Sequence, residues 1–222
     1  MWLFDSSIGR KVIMAVTGLC LVLFLTFHMA MNVAALFSEE GYNMICELLG
    51  ANWYAVAATI GLAALAVLHI VYAFILTIRN RAARGSERYA VTDKPSKVEW
   101  ASQNMLALGL VVLLGLVMHL KDFWANMMLV DLTGCGDMAH STDGIYWIRQ
   151  TFSNIYFVIC YLVWLCALWF HLAHGFWSMM QSMGVNGKLW FMRWKYIGIV
   201  YVTCVCCGFA AVVLYYYCES LM

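Results

Sequence analysis

The sequence predicts an all-α membrane protein with five transmembrane helices, and three observations carry that prediction. Of 222 residues, 64% are hydrophobic and 11% charged, with a mean hydropathy of +0.80. A water-soluble domain of this length needs more charged surface. Five apolar stretches reach the roughly 20 residues that cross a hydrocarbon core of about 30 Å. They lie at about 12–37, 52–78, 101–120, 153–180 and 196–217. Finally, the basic residues gather in alternate connections. Arg10, Lys11, Arg79, Arg81, Arg84, Arg88, Lys94, Lys97, Lys188, Arg193 and Lys195 fall on one side, and only Lys121 and Arg149 on the other.

Each element has its own justification. The first stretch follows Arg10-Lys11, is too long for the apolar region of a signal peptide and ends in no A-x-A site, so a retained helix is expected. None of the five alternates as a barrel strand would. Their glycines, Gly18, Gly61, Gly109, Gly115, Gly175 and Gly198, suit close helix approach in lipid. The excess of lysine and arginine places the N-terminus in the cytoplasm and the C-terminus outside. Two connections, about 38–52 and 121–152, then face out and carry Glu39, Glu40, Glu47, Asp122, Asp131, Asp137 and Asp143. A net charge of +1 supplies no global basic surface for nucleic acid. The chain reads as one transmembrane domain, 1–222.

Among nine cysteines, Cys20, Cys160, Cys166, Cys204, Cys206 and Cys207 lie inside apolar stretches, where the thiol acts as a small hydrophobe. No C-x-x-C-H motif is present for covalent haem attachment. Cys46, Cys135 and Cys218 fall near the outward connections, either bridged among themselves or free.

Four histidines stand out: His28, His69, His119 and His171, one in each of the first four stretches. An imidazole in hydrocarbon is costly and demands a purpose. Counting about 1.5 Å per residue from the helix ends, His28 and His119 fall in the outer half of outward-running helices. His69, ten residues before Arg79, and His171 fall in the inner half of inward-running ones. Neutral imidazoles are good ligands for haem iron, and two of them make a six-coordinate electron-transfer haem. The expectation is an outer haem between His28 and His119 and an inner haem between His69 and His171. The plainer alternative is four core histidines hydrogen-bonded to neighbouring helices; two matched depths argue against it. Gly115, Gly175, Ala66 and Ala73 are the small residues beside the ligands. For the inner propionates the candidates are Arg10, Lys11, Arg79, Ser178 and His174, the last also a rival to His171. His140 reads as a solvated loop residue; a metal site with Cys135 and Asp137 is the alternative.

Several motifs carry a family resemblance. Ser6-Ser7-x-Gly-Arg-Lys precedes Ala15-Val16-Thr17-Gly18 on the helix that ends in His28, with Asn32 following. His69-Ile70-Val71-Tyr72 comes next, then His119, then His171-x-x-x-Gly175-Phe176-Trp177-Ser178 with Gln181-Ser182. Order and spacing together resemble the di-haem cytochrome b subunit of succinate:quinone oxidoreductases, the succinate dehydrogenases and fumarate reductases, in the class with a single large membrane polypeptide. The similarity covers nearly the whole chain.

The resemblance implies ligation by His28 with His119 and by His69 with His171, the histidine four residues before Gly175. It implies a subunit of an enzyme, docked at its cytoplasmic face to a flavoprotein and an iron–sulfur protein, in a bacterial cytoplasmic membrane. Electrons would pass between those partners and a membrane quinone, menaquinone by the resemblance, through two b haems near opposite faces. The chain itself has no G-x-G-x-x-G flavin fingerprint and no ferredoxin-type run of cysteines, so the dicarboxylate chemistry belongs to other subunits. Quinone chemistry moves protons, which makes Glu47 and Asp122 the acid candidates on the outer side. The competing expectation is a di-haem cytochrome b anchoring another quinone-linked dehydrogenase, of the hydrogenase or formate dehydrogenase type.

Overall fold

The computed structural model describes residues 6–50, 52–84, 100–185 and 187–222. Arg88, Lys94 and Lys97 lie outside the described residues. Every regular element among those described is helical: α1 Ser7–Ala34, α2 Glu39–Leu48, α3 Trp53–Arg84, α4 Trp100–Gln103, α5 Met105–His119, a π-helical segment Leu120–Leu129, α6 Val130–Thr133, a 3-10 turn Met138–His140, α7 Gly144–Phe152, α8 Ile155–Ser182 and α9 Lys188–Ser220. Five rods are long and apolar enough to cross a membrane: α1, α3, the run Met105–Thr133, α8 and α9. The protein is a multi-pass membrane protein whose outer helix surfaces meet lipid.

The rods outrun the expected stretches at several ends. α1 starts at Ser7 because Ser6 caps it, its Oγ accepting from the Gly9 N–H at 2.9 Å. α3 runs on to Arg84 and α9 begins at Lys188. Hydropathy marks the part of a helix that needs hydrocarbon, whereas its hydrogen bonding continues into the basic interface.

The larger correction concerns the third rod. The sequence suggests an end near residue 120 and a connection over 121–152. Instead the helix continues without a break to Thr133, through ten residues of π winding, and stops at Gly134 in the left-handed conformation, φ 67°. Lys121 and Asp122 interrupt the apolar run, but Phe123, Trp124, Met127 and Met128 resume it. The remainder of that connection holds α7, and the connection 38–52 holds α2.

α2 and α7 build a cap over one end of the bundle. Asn43 joins them: its amide donates to Asp143 Oδ1 at 2.8 Å and its carbonyl oxygen accepts from the Ile145 N–H at 3.0 Å. Asp143 in turn caps α7, accepting from Tyr146 N–H at 3.0 Å. Arg149 spans Glu39 of α2 and Glu219 of α9 at 2.5 and 2.8 Å. Beneath the cap lies a core of Tyr42, Ile145, Ile148, Phe152, Val158, Tyr161 and Tyr216. The bundle's centre is α1, α8 and α9, packed on one another; α3 lies against α1 and α5 against α8. Tyr216 donates to the Ala35 carbonyl at 3.0 Å, and Trp169 donates to Thr203 Oγ at 2.9 Å, tying α9 to α1 and α8.

All cysteines are free among the described residues. Cys135, Asp137 and His140 form no metal site: His140 pairs with Asp137 at 2.8 Å and stacks on Tyr146 at 3.8 Å.

Candidate functional site

The four membrane histidines come together in two pairs. His28 of α1 and His119, the last residue of α5, have ring centroids 5.7 Å apart and ring planes at 79°. His69 of α3 and His171 of α8 have centroids 6.4 Å apart and planes at 65°. Two imidazoles bound to opposite sides of one metal, each nitrogen at about 2 Å, have centroids about 6 Å apart. Both pairs stand close to that separation.

The helices that carry each pair are not the ones that pack. α1 packs on α3, α8 and α9, and α5 packs on α8, but α1 with α5 and α3 with α8 form no comparable interface. Imidazoles therefore reach across the two gaps that the backbone leaves wide. Among the described residues no three His, Cys, Asp or Glu side chains converge as a metal site. Two imidazoles fall short of the four ligands that a structural zinc needs. His28 with His119, and His69 with His171, would suit an iron porphyrin, which brings four nitrogens of its own. The buried Nδ1 of His171 has no hydrogen-bond partner among the described residues. The donor set fits haem at both levels.

Three helices measure the distance between the levels. Thr17, which contacts His69, precedes His28 by 11 residues on α1, about 16 Å. Gly109, beside His171, precedes His119 by ten on α5, about 15 Å. Tyr161, beside His119, precedes His171 by ten on α8, about 15 Å.

The surroundings differ. The His28–His119 pair sits among aromatic rings: Phe24 stacks on His28 at 5.3 Å, Phe209 lies at 5.7 Å, and Phe123 and Trp164 face His119 at 5.3 and 5.7 Å. Gly115, expected to clear space for a cofactor, clears the Trp164 indole, which a Cβ there would overlap. That indole donates to the Val112 carbonyl at 3.0 Å. Gly175 does face open space, with nothing within 4 Å of an added Cβ.

The acids separate clearly. Asp122 is 5% exposed, contrary to the solvated position that a loop implies. Its carboxylate accepts from Tyr161 Oη at 3.2 Å and from Lys121 Nζ at 3.1 Å. Glu47 is exposed on α2 and lines an open surface depression with Glu40, Asn43, Met44, Thr142 and Asp143. Behind it, burial raises the Tyr42 hydroxyl well above its usual range and pushes the Cys46 thiol up to about 11.

Neither family models, nor curated proteins, nor solved structures match this chain.

Of the propionate candidates, Arg10 is buried, Lys11 and Arg79 are exposed, and Ser178 is half-buried with its carbonyl accepting from Ser182 Oγ at 3.0 Å. His174 turns its ring to Trp177 at 5.0 Å, while His171 meets His69. Tyr161 and Trp164 are not singled out by the sequence, and Thr17 stands only as part of the first-helix motif, with no role of its own. Thr17 carried a usable signal, since a hydroxyl inside an apolar stretch needs a partner.

Proposed function

We propose that this chain is the membrane-anchor cytochrome b subunit of a succinate dehydrogenase or fumarate reductase complex. The observation that carries the reading is the pair of facing imidazoles at each of two levels, 5.7 and 6.4 Å between centroids, on four different helices. Two b haems, held by His28 with His119 and by His69 with His171, would supply one-electron relay across the bilayer between the soluble subunits and quinone. The chain's own work is to fix the imidazoles in neutral form, to exclude water with the aromatic shell of the outer pair and to hold the levels about 15 Å apart.

On this reading the end bearing α2 and α7 is the outer face, and Arg10, Arg79 and Lys188 lie at the cytoplasmic face where flavoprotein and iron–sulfur subunits dock. Menaquinone would react on the outer side. Asp122 is the proton-handling group there, because it is buried and shares a hydrogen bond with Tyr161, whose ring lies 6.4 Å from His119. Glu47, in its open depression, fits a proton-entry role.

The test is a reduced-minus-oxidised spectrum with haem counts for H28A, H69A, H119A and H171A in the purified complex. Two b haems are expected in the wild type. H28A and H119A should lose one component, H69A and H171A the other. An absent b-type band, or a single haem per wild-type chain, would sink the proposal. Copurification of a flavoprotein supports a succinate or fumarate partner; a nickel or molybdenum protein would point instead to a hydrogenase or formate dehydrogenase.

A further inference from the structure

We infer that Thr17 sets the tautomer and the orientation of His69, and so makes the inner imidazole pair electronically unequal. This rests on the reading above, in which His69 binds haem iron.

Thr17 is buried, 4% exposed. The one hydrogen of its hydroxyl has acceptors in its own helix, the carbonyls of Ile13 at 2.9 Å and Met14 at 3.1 Å. Its oxygen lies 3.1 Å from His69 Nδ1. A hydroxyl that already donates to backbone meets Nδ1 as an acceptor. His69 Nδ1 therefore carries the proton and Nε2 keeps the lone pair, the arrangement that a metal ligand needs. No water competes for the bond inside hydrocarbon. Gly18 lies against the same ring: an added Cβ there would stand in van der Waals contact with it, 3.4 Å from His69 Cε1.

His171 has no such partner. Its Nδ1 is buried and unpaired, and Gly109 presents only backbone to the same edge of the ring, an added Cβ lying 3.7 Å from Cε1. Of the two rings at this level, one is polarised through N–H···O and the other is not. Donation from Nδ1–H makes Nε2 a stronger electron donor, which favours oxidised iron. Thr17 is thus a positioning residue for the inner site alone.

The experiment is a redox titration of the haems in the intact complex, with the low-spin EPR signals recorded, for wild type, T17V and T17S. In T17V one of the two midpoint potentials should rise and the matching g signal should shift, while the other potential and signal stay put. T17S should restore both. T17A, read in the same way, serves if T17V does not assemble. Two haems bound with both potentials unmoved in T17V would overturn the inference, as would a change that T17S fails to reverse. A wild type lacking two bis-imidazole signals would instead remove the assignment of His69 as a ligand, and this inference with it.

Discussion

Tyr161 Oη donates to the carboxylate of Asp122 at 3.2 Å, and the two belong to different helices that meet beside His119. The acid is therefore neither solvated nor alone. If it serves quinone chemistry, D122N should lower quinone-linked turnover by about 100-fold, within the usual range for a positioned acid–base group. On the proposed function, two haems should be retained in this variant. Turnover close to wild type in D122N would assign the pair to structure only. Y161F, which removes one hydrogen bond from a buried carboxylate, should cost about 1–3 kcal/mol of stability, read as a lower Tm.

Gly115 and Gly61 make a controlled comparison. A Cβ at Gly115 overlaps the Trp164 indole, whereas nothing lies within 4 Å of one at Gly61. G115A should cost about 1–3 kcal/mol through overpacking and release the Trp164 hydrogen bond to Val112. G61A should leave Tm unchanged or slightly raised. Equal Tm values for the two variants would refute the close approach.

Cys46 offers a pH readout on the cap. Burial holds its thiol at about 11, so at pH 8 only about a thousandth is thiolate, the reactive form. Alkylation followed by peptide mapping should find Cys46 slow at pH 8. Its rate should climb about tenfold per pH unit as the solution approaches the thiol's own pKa. Exposed Cys135 is the reference. Labelling of Cys46 as fast as Cys135 at pH 8 would show the cap to be open.

Arg149 is hydrogen-bonded to both Glu39 and Glu219, chiefly Glu219, which drives its guanidinium pKa above the ordinary value. Yet Arg149 is 45% exposed, and Glu39 and Glu219 are 46% and 32% exposed. Solvent screening limits such a cluster to about 1 kcal/mol. R149A should lower Tm slightly, and the difference should shrink as salt rises from 0.05 M to 1 M, concentrations at which the Debye length falls from roughly 14 to 3 Å. A large, salt-independent loss would mean that Arg149 acts through packing over the Tyr216 ring, 5.8 Å away.

How far the sequence could be read depends on the property asked of it. Five spans were legible because transfer into hydrocarbon is nearly additive along a short window. The end of the third was misread because Lys121 and Asp122 look like an interface on a hydropathy scale. In the folded chain Asp122 is covered by Tyr161 and the helix runs on to Thr133. Gly115 was understood as a small residue, but not what its smallness admits, since Trp164 lies 49 residues further on.

By itself the sequence determined the number of membrane helices and the sidedness expected from its basic residues, both of which follow from composition; the depth it assigns to His119 assumed an end near residue 120, and that helix runs on to Thr133. The pairing of His28 with His119 and of His69 with His171 is already an expectation of the sequence; only the tertiary structure decided that Asp122 is buried against Tyr161 and that Thr17 reaches His69. In lipid, which face of one helix meets another depends on side-chain shape and hydrogen bonding between residues distant in the chain, and no local window of sequence contains that information.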